Sequence, residues 1–204
     1  MLFRSAKNTE TEVKLYTPDH AAIEARLLAA GAVLKHARVF ERNQRYEDAE
    51  RNFAHRGIVL RLRQDERARL TFKSPTSSSG EILTRTELEV EVSDFDTMDA
   101  LLRALGYRLY MTYEKYRTTY MLGGAEIVLD EMPYGNFTEI EGDHSVILDA
   151  LRQLDLETAP RLPYSYTQLF DAVRQALHLD FQDLTFANFA GIHVPETAFQ
   201  PRDT

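Results

Sequence analysis

Alternation of polar and apolar residues, the pattern of a β-strand with one buried face, recurs through the first 141 residues. The first strand places Val13 and Leu15 on one face and Glu10, Glu12 and Lys14 on the other. Further strands are predicted over residues 33–46, 58–63, 69–73, 83–92, 113–120, 125–130 and 136–141. Because the strands alternate instead of being apolar throughout, one side of the sheet must face polar surroundings.

Amphipathic segments between and after the strands predict four helices. Thr17 indicates the N-cap of the first helix, and Gly31 indicates its end. The other helices cover roughly residues 92–107, 145–154 and 165–177, and Ser165 or Thr167 caps the last one. The serine-rich stretch 74–80 is expected to be a flexible loop. Strands joined by hairpins, with helices inserted at intervals, indicate an α+β fold around a closed antiparallel sheet.

The polar faces of the predicted strands carry like charges two residues apart. Strand by strand they are Glu10, Glu12 and Lys14; Arg61 and Arg63; Arg69, Thr71 and Lys73; Arg85, Glu87, Glu89 and Glu91; Lys115 and Arg117; Asp130; and Glu139 and Glu141. A sheet with one solvated face accounts for the charges of any single strand. The same local repulsion on so many strands instead indicates that a polyanion and metal ions supply the opposite charge. In a closed barrel all these side chains would line one lumen.

Overall composition narrows the class of partner. The chain carries 24 Lys and Arg against 32 Asp and Glu, a formal net charge of −8, whereas nucleic-acid-binding proteins usually carry a basic surplus. It has no cysteine, so a metal would be held by oxygen or imidazole ligands. There is no apolar run near the roughly 20 residues that span a bilayer, nor an apolar signal segment at the start. We expect a cytoplasmic protein with neither nucleic acid nor a membrane as its partner.

The number of basic residues indicates the size of the anion. A triphosphate carries on the order of four negative charges near neutral pH. Six basic residues are available on the predicted polar faces: Lys14, Arg61, Arg63, Lys73, Lys115 and Arg117. Six exceed the need of one phosphoryl group and suit a chain of two or three. The acidic pairs beside them predict Mg²⁺ or Mn²⁺, which prefer carboxylate, water and phosphate oxygens.

Six blocks of sequence resemble those of a known family in order and spacing. Residues 10–14, ETEVK, match the ExExK signature that opens CYTH domains, the triphosphate tunnel metalloenzymes. The later blocks are LRLR (60–63), LTFK (70–73), TELEVEV (86–92), EKYR (114–117) and LDEMPYGNFTEIEG (129–142). The family includes class IV adenylate cyclases, thiamine triphosphatases and bacterial inorganic triphosphatases. The resemblance runs from about residue 8 to 175 and implies a closed eight-stranded antiparallel β-barrel, or tunnel, with surrounding helices.

The resemblance also implies roles for individual residues. It implies metal binding by Glu10, Glu12, Glu139 and Glu141, with Asp130 as a further ligand or as a group that supports the ligands. It implies phosphate binding by Lys14, Arg61, Arg63, Lys73, Lys115 and Arg117, with Arg85 as a further contact. Glu10, Glu12, Lys14, Glu139 and Glu141 form the predicted catalytic set. For Glu87, Glu89 and Glu91 we favour ion pairs with the basic residues over a second cation or ordered water, and we expect Arg69 to be solvated.

The sequence does not decide between two reactions of a small-molecule triphosphate, hydrolysis and cyclisation. We expect metal-dependent hydrolysis of tripolyphosphate or of a nucleoside or organic triphosphate, because hydrolysis asks less of the site than adenosine bound in a bent pose. The alternatives are a class IV adenylate cyclase, which the segment SYTQLF (165–170) resembles, and a non-catalytic polyphosphate- or nucleotide-binding module. Residues 1–178 are expected to form the tunnel domain, and residues 179–204 an extension to which the sequence assigns no role. A homodimer is left open.

Overall fold

A computed structural model describes residues 9–75, 77–79 and 82–199, without the side chains of residues 9, 10, 77–79 and 82–85. Within these residues the strands are β1 (Thr9–Tyr16), β2 (Val33–Glu47), β3 (Val59–Gln64), β4 (Ala68–Lys73), β5 (Ser77–Ser79), β6 (Ile82–Val92), β7 (Arg108–Leu122), β8 (Ala125–Met132) and β9 (Gly135–Glu141). The helices are α1 (His20–Ala29), α2 (Asn52–His55), α3 (Phe95–Ala104), α4 (His144–Gln153) and α5 (Tyr166–Leu177), followed by a 3₁₀ turn (Glu196–Phe199).

Eight strands form an antiparallel barrel. Their order is β1-β9-β8-β7-β2-β3-β4-β6, and β1 also pairs with β6, so that the pairings return to their starting strand. The short β5 pairs with the beginning of β6, outside the part of β6 that pairs with β4. The predicted antiparallel tunnel with surrounding helices is confirmed. Its closure sends one side chain of every two into a common lumen.

Two apolar layers cover the outside of the barrel. On β1, Val13 and Leu15 face outward into a core that α1 and α4 complete with residues such as Leu27 and Ile147. On the opposite side, α3 covers β2 and β3 with Leu102 packed near Leu62. Glu12 and Lys14, on the inner face of β1, are also buried. Both faces of the strand are therefore enclosed, and the charged face is enclosed by the barrel itself.

A third apolar core closes one end of the tunnel. It joins the ends of β7, β8 and β9 to α5 and to the segment that follows α5. Leu184 of this segment pairs with Tyr113 in a parallel bridge, and its backbone exchanges hydrogen bonds with Thr112 and Glu114. Phe199 packs against the ring of Phe137. Residues 179–199 thus contribute directly to this core, whereas the proposed domain boundary at residue 178 stays a prediction.

Some local predictions differ from the structure. The serine-rich stretch contains β5 and is not a loop throughout, because its backbone finds partners on β6. Asp19 caps α1 by accepting a hydrogen bond from the amide of Ala22, whereas the hydroxyl of Thr17 bonds to that of Thr138. The N-cap of α5 is Ser165, which confirms one of the two predicted alternatives. Among the described residues there is no helix with the length and apolar character that crossing a bilayer requires.

Candidate active site

The barrel encloses a cavity of about 1300 Å³ that is lined mainly by charged residues. Among the described residues, twelve Lys or Arg and eleven Asp or Glu contribute to its wall. Half of the 24 basic residues of the chain are therefore gathered here, against about a third of its 32 acidic ones. The lumen is enriched in positive charge relative to the acidic exterior, which suits an anionic ligand.

Three cations, the buried Lys14 and Lys115 and the partly buried Arg117, form a basic cluster on the β1, β7 and β9 side of the lumen. Two carboxylates hold them in place. Glu139 accepts from Lys14 Nζ at 2.8 Å and from Arg117 Nη2 at 2.9 Å. Asp130 accepts from Lys115 Nζ at 3.0 Å and from Arg117 Nε at 2.7 Å. Because each carboxylate bridges two cations, the cluster is fixed before any ligand binds.

The charges of this cluster are maintained by their neighbours. Burial opposes ionisation of Glu139, but Lys14 and Arg117 outweigh it and hold the pKa of Glu139 well below its usual range. Burial and then the charge of Asp130 raise the pKa of Tyr166 well above its usual value. Tyr166 therefore stays protonated and donates to Asp130 Oδ2 at 2.9 Å, while Lys14 Nζ lies 4.4 Å from the centre of its ring.

A pair of carboxylates beside the basic cluster fits a divalent cation. Glu12 on β1 and Glu141 on β9 are direct cross-strand partners, an arrangement in which like charges destabilise the sheet unless a cation lies near them. Their oxygens are hard ligands of the kind that Mg²⁺ and Mn²⁺ prefer. Among the described residues no three acidic or histidine side chains lie close enough to hold a metal by themselves. Two carboxylates of this kind fit an ion that completes its shell with phosphate and water.

For two other predicted metal ligands, Glu10 and Asp130, the structure gives a different picture. Glu10 lies on β1, but its side chain is outside the described residues. Asp130 is fully buried, and its two oxygens bond to Lys115, Arg117 and Tyr166. Of the two roles expected for Asp130, this arrangement favours support of the basic cluster over direct metal binding.

The opposite wall, on β3, β4 and β6, carries the remaining predicted phosphate contacts. Arg63 Nη2 donates to Glu89 Oε2 at 3.1 Å, and Lys73 Nζ lies 3.0 Å from Glu87 Oε2. Arg61 Nη1 donates to the hydroxyl of Tyr113 at 3.2 Å. The structure therefore places Glu87 and Glu89 in ion pairs with basic residues of the lumen.

Three predicted residues lie at the rim of this wall or outside the described part. Glu91 forms its ion pair with the exposed Arg67, at 3.1 Å. Arg69 is paired with Asp65, whereas the sequence predicted a solvated side chain. The side chain of Arg85 is outside the described residues. The proposed roles of Arg85 and Glu91 stay predictions.

Three residues on the inner face of β2 were missed from the sequence: Glu41 and Arg45, which line the cavity, and Asn43, which is buried between them. Glu41 is buried and links both walls, with oxygens 3.6 Å from Lys115 Nζ and 3.4 Å from Arg63 Nη1. Burial favours its neutral form, but Lys115 and the nearby arginines outweigh burial and hold the pKa of Glu41 far below its usual range. Asn43 is fully buried, and neither polar atom of its side chain has a hydrogen-bond partner among the described residues.

A family model for the CYTH domain matches residues 8–162. The chain belongs to the CYTH domain family. The match includes the basic cluster and the Glu12–Glu141 pair but ends before α5, so that Tyr166 reaches the lumen from outside the matched part of this CYTH protein.

Solved structures with the same fold come from bacteria, archaea and plants. A candidate adenylate cyclase from Vibrio parahaemolyticus is 19% identical with a TM-score of 0.70, over 80% of this chain and 98% of that one. The PH1012 protein of Pyrococcus horikoshii is 22% identical with a TM-score of 0.64, over 77% and 96%. A candidate adenylyl cyclase from Hippeastrum, described as having a dominant triphosphatase activity, is 19% identical with a TM-score of 0.57, over 82% and 96%. No curated protein matches this chain.

Proposed function

We propose that this CYTH protein hydrolyses a triphosphate, with the phosphoryl groups bound in the lumen and a divalent cation at Glu12 and Glu141. The observation that carries this proposal is the basic cluster, in which two buried cations and the partly buried Arg117 are held by Glu139 and Asp130. Buried cations fixed in advance bind and stabilise anionic groups without reorganisation. Their number suits a ligand with several adjacent negative charges.

The residues of the chain divide the work of phosphoryl transfer. Lys14, Lys115 and Arg117 bind non-bridging oxygens and stabilise the charge that moves to the leaving group. A divalent cation would orient the phosphate chain and neutralise part of its charge. Water then forms a bond to the terminal phosphorus as the bond to the bridging oxygen breaks, which releases orthophosphate and leaves the shorter phosphate chain.

Cyclisation of ATP is the second reaction that the same lining supports. In that reaction the ribose 3′-hydroxyl attacks the α-phosphorus and pyrophosphate leaves. Two structural neighbours are named as candidate cyclases, and one of them, the Hippeastrum protein, is described as having a dominant triphosphatase activity. Four tyrosines among the described residues line the cavity, and two of them are engaged with charged groups: Tyr113 accepts from Arg61, and Tyr166 donates to Asp130. We favour hydrolysis because it does not require a base to be bound beside the phosphates.

The test combines substrates, metals and one matched pair of variants. Purified protein is incubated with tripolyphosphate, ATP or thiamine triphosphate and with Mg²⁺, Mn²⁺ or EDTA, and orthophosphate, pyrophosphate and cyclic AMP are measured together. Glu139→Gln removes the charge that holds Lys14 and Arg117, and we expect a loss of at least about 100-fold in kcat/KM, the scale for losing one preorganised electrostatic contact. Glu131→Gln is the control, because Glu131 belongs to an exposed ion pair with Arg38 and is not itself among the residues that line the cavity.

Each result points to one reading. Metal-dependent orthophosphate from tripolyphosphate that is lost in Glu139→Gln and kept in Glu131→Gln supports the hydrolase. Formation of cyclic AMP and an equal amount of pyrophosphate from ATP supports the cyclase instead of the hydrolase. Absence of turnover with every substrate and metal would leave a binding module and contradict the catalytic proposal.

A further inference from the structure

Two arginines face each other across neighbouring strands near the end of the lumen that α5 covers. Arg45 of β2 and Arg61 of β3 are direct cross-strand partners, and both line the cavity. Side chains at such positions start about 4.5–5.5 Å apart at Cβ, and like charges there repel each other. A sheet with two guanidinium groups in this position is expected to have an anion near them.

Among the described residues neither arginine has a carboxylate within hydrogen-bond distance. Glu47 and Asp171 act on Arg45, and Glu41 and Glu87 on Arg61, only from a longer distance. Arg45 Nη1 donates to Thr167 Oγ1 at 2.6 Å, and among the described residues no carboxylate forms a salt bridge with Arg45. Arg61 has one ion pair within the described part of the chain, at 3.9 Å from Glu89, and its Nε has no hydrogen-bond partner there. By contrast, Lys115 and Arg117 of the basic cluster lie within 3.0 Å of Asp130. Arg61 is buried and Arg45 is partly buried, and a cation with little access to water and no close counter-ion is costly, so a bound anion would stabilise this pair.

The first turn of α5 adds to the positive potential at this point. Ser165, Thr167 and Gln168 line the same cavity, and Thr167 is the partner of Arg45. The amino end of a helix carries a partial positive charge that favours anions. The two arginines, on β2 and β3, and the amino end of α5 therefore act on one region of the lumen from three elements.

We propose that Arg45, together with Arg61 and the first turn of α5, forms an inner anion subsite that binds one phosphoryl group of the substrate, in addition to the basic cluster. The subsite rests on the proposed function, since that function supplies the polyphosphate. The proposed subsite gives Arg45 a role in substrate binding, whereas the sequence patterns predicted no role for this residue. A ligand long enough to reach both the basic cluster and the inner anion subsite gains binding affinity from both, whereas a short anion gains affinity from only one of them.

The experiment measures binding without turnover, by calorimetry in EDTA, with tripolyphosphate, pyrophosphate and orthophosphate. The proteins are wild type, Arg45→Gln, Arg45→Lys and the control Arg42→Gln, which removes an exposed charge from the same strand. We expect Arg45→Gln to raise the Kd of tripolyphosphate about tenfold or more, which corresponds to about 1.4 kcal/mol. Arg45→Lys should give a smaller rise, because it keeps the charge without the two-pronged geometry, and Arg42→Gln should match wild type.

The outcomes separate this inference from the proposed function. If wild type binds tripolyphosphate and Arg45→Gln binds it equally well, the inner anion subsite is wrong while the proposed function stands. If Arg45→Gln weakens the binding of orthophosphate but not of tripolyphosphate, the region binds free phosphate. In that case the proposal that it binds a phosphoryl group of the substrate is also wrong. If wild type binds none of the three anions in EDTA, the inner anion subsite is wrong, while the proposed function is judged separately by turnover in the presence of metal. Thermal unfolding of each variant shows that altered binding does not come from loss of the fold, and Arg45→Lys retains the test should Arg45→Gln unfold.

Discussion

Glu41 shows how single residues keep charges stable inside the lumen. It lies on β2 directly opposite Lys115, and its carboxylate also reaches Arg63 of the other wall. A buried carboxylate is costly unless it is paired, and here two cations from different strands pair with it. Glu41 is therefore a positioning residue that sets the separation of two predicted phosphate contacts.

Glu41 should make the stability of the protein depend on acid pH. Its pKa is lower in the folded than in the unfolded chain, so its contribution is present above the unfolded pKa of about 4.3 and is lost as the pH falls below it. We expect the free energy of unfolding of wild type, measured with urea between pH 3 and 6, to fall more steeply with acid than that of Glu41→Gln. Glu131→Gln is the control, and equal slopes for wild type and Glu41→Gln would contradict the prediction.

At this scale the sequence predicts residues well where charged and apolar positions alternate. Glu12 and Lys14 alternate with Val13 and Leu15, and the structure places the first pair in the lumen and the second in the outer core. Residues 41–45, Glu-Arg-Asn-Gln-Arg, are polar on both faces of the strand. The alternation of polar and apolar residues therefore cannot show which of these side chains point into the barrel. Glu41, Asn43 and Arg45 were missed for that reason, since only the pairing of β2 with β3 and β7 shows which face is inside.

At the scale of elements, α5 and the segment after it close one end of the barrel. Leu184, Phe189, Ala198 and Phe199 are buried in the same core as Phe137 of β9. The segment also provides backbone partners for β7 beyond the point where β8 ends. It therefore contributes both apolar area and hydrogen bonds at the closed end.

Removal of residues 179–204 should destabilise the whole barrel. Burial of a large apolar side chain contributes about 1.5–3 kcal/mol, so loss of Leu184, Phe189 and Phe199 should cost on the order of 5 kcal/mol, a large share of a typical 5–15 kcal/mol total. The measurement is urea unfolding of a chain ending at His178, and the control is a chain ending at Phe199. An unchanged unfolding midpoint for the shorter chain would show that this segment does not support the fold.

The elements themselves were predictable to different degrees. Strands with one apolar face, such as β8 and β9, were located to within a few residues. β7 begins at Arg108, five residues before its predicted start, because its first part pairs with β2. The short α2 and β5 have too few residues for a period, and tertiary contacts decide their structure.

At the scale of the whole molecule, an acidic protein encloses a lumen to which half of its basic residues contribute. The mutual repulsion of those residues is part of the cost of the folded state. A polyanion that binds the folded chain alone relieves this repulsion and shifts the unfolding equilibrium.

A non-hydrolysable analogue of tripolyphosphate, added with Mg²⁺, should therefore raise the melting temperature. At 100 times its Kd a ligand adds about 2.7 kcal/mol, which for a chain of this size corresponds to a rise of roughly 5–10 °C. Differential scanning calorimetry measures the rise, with sulfate at the same ionic strength as the control. We expect Glu12→Gln to lose the part of the rise that needs Mg²⁺. An equal rise with sulfate would indicate general screening of charge and not a binding site.

The position of β1 between β6 and β9 has a consequence for how the chain folds. Thr9 pairs with Thr86, and Glu12 pairs with Glu141, so the first strand finds its neighbours only across long loops of chain. Contacts this distant in sequence form slowly, because closing a long loop costs entropy before the contact returns any stability. During synthesis Glu12 leaves the ribosome about 130 residues before its cross-strand partner Glu141, and translation at roughly 5–20 residues per second makes that a wait of many seconds. The earliest residues of the candidate active site are thus among the last to reach their final neighbours.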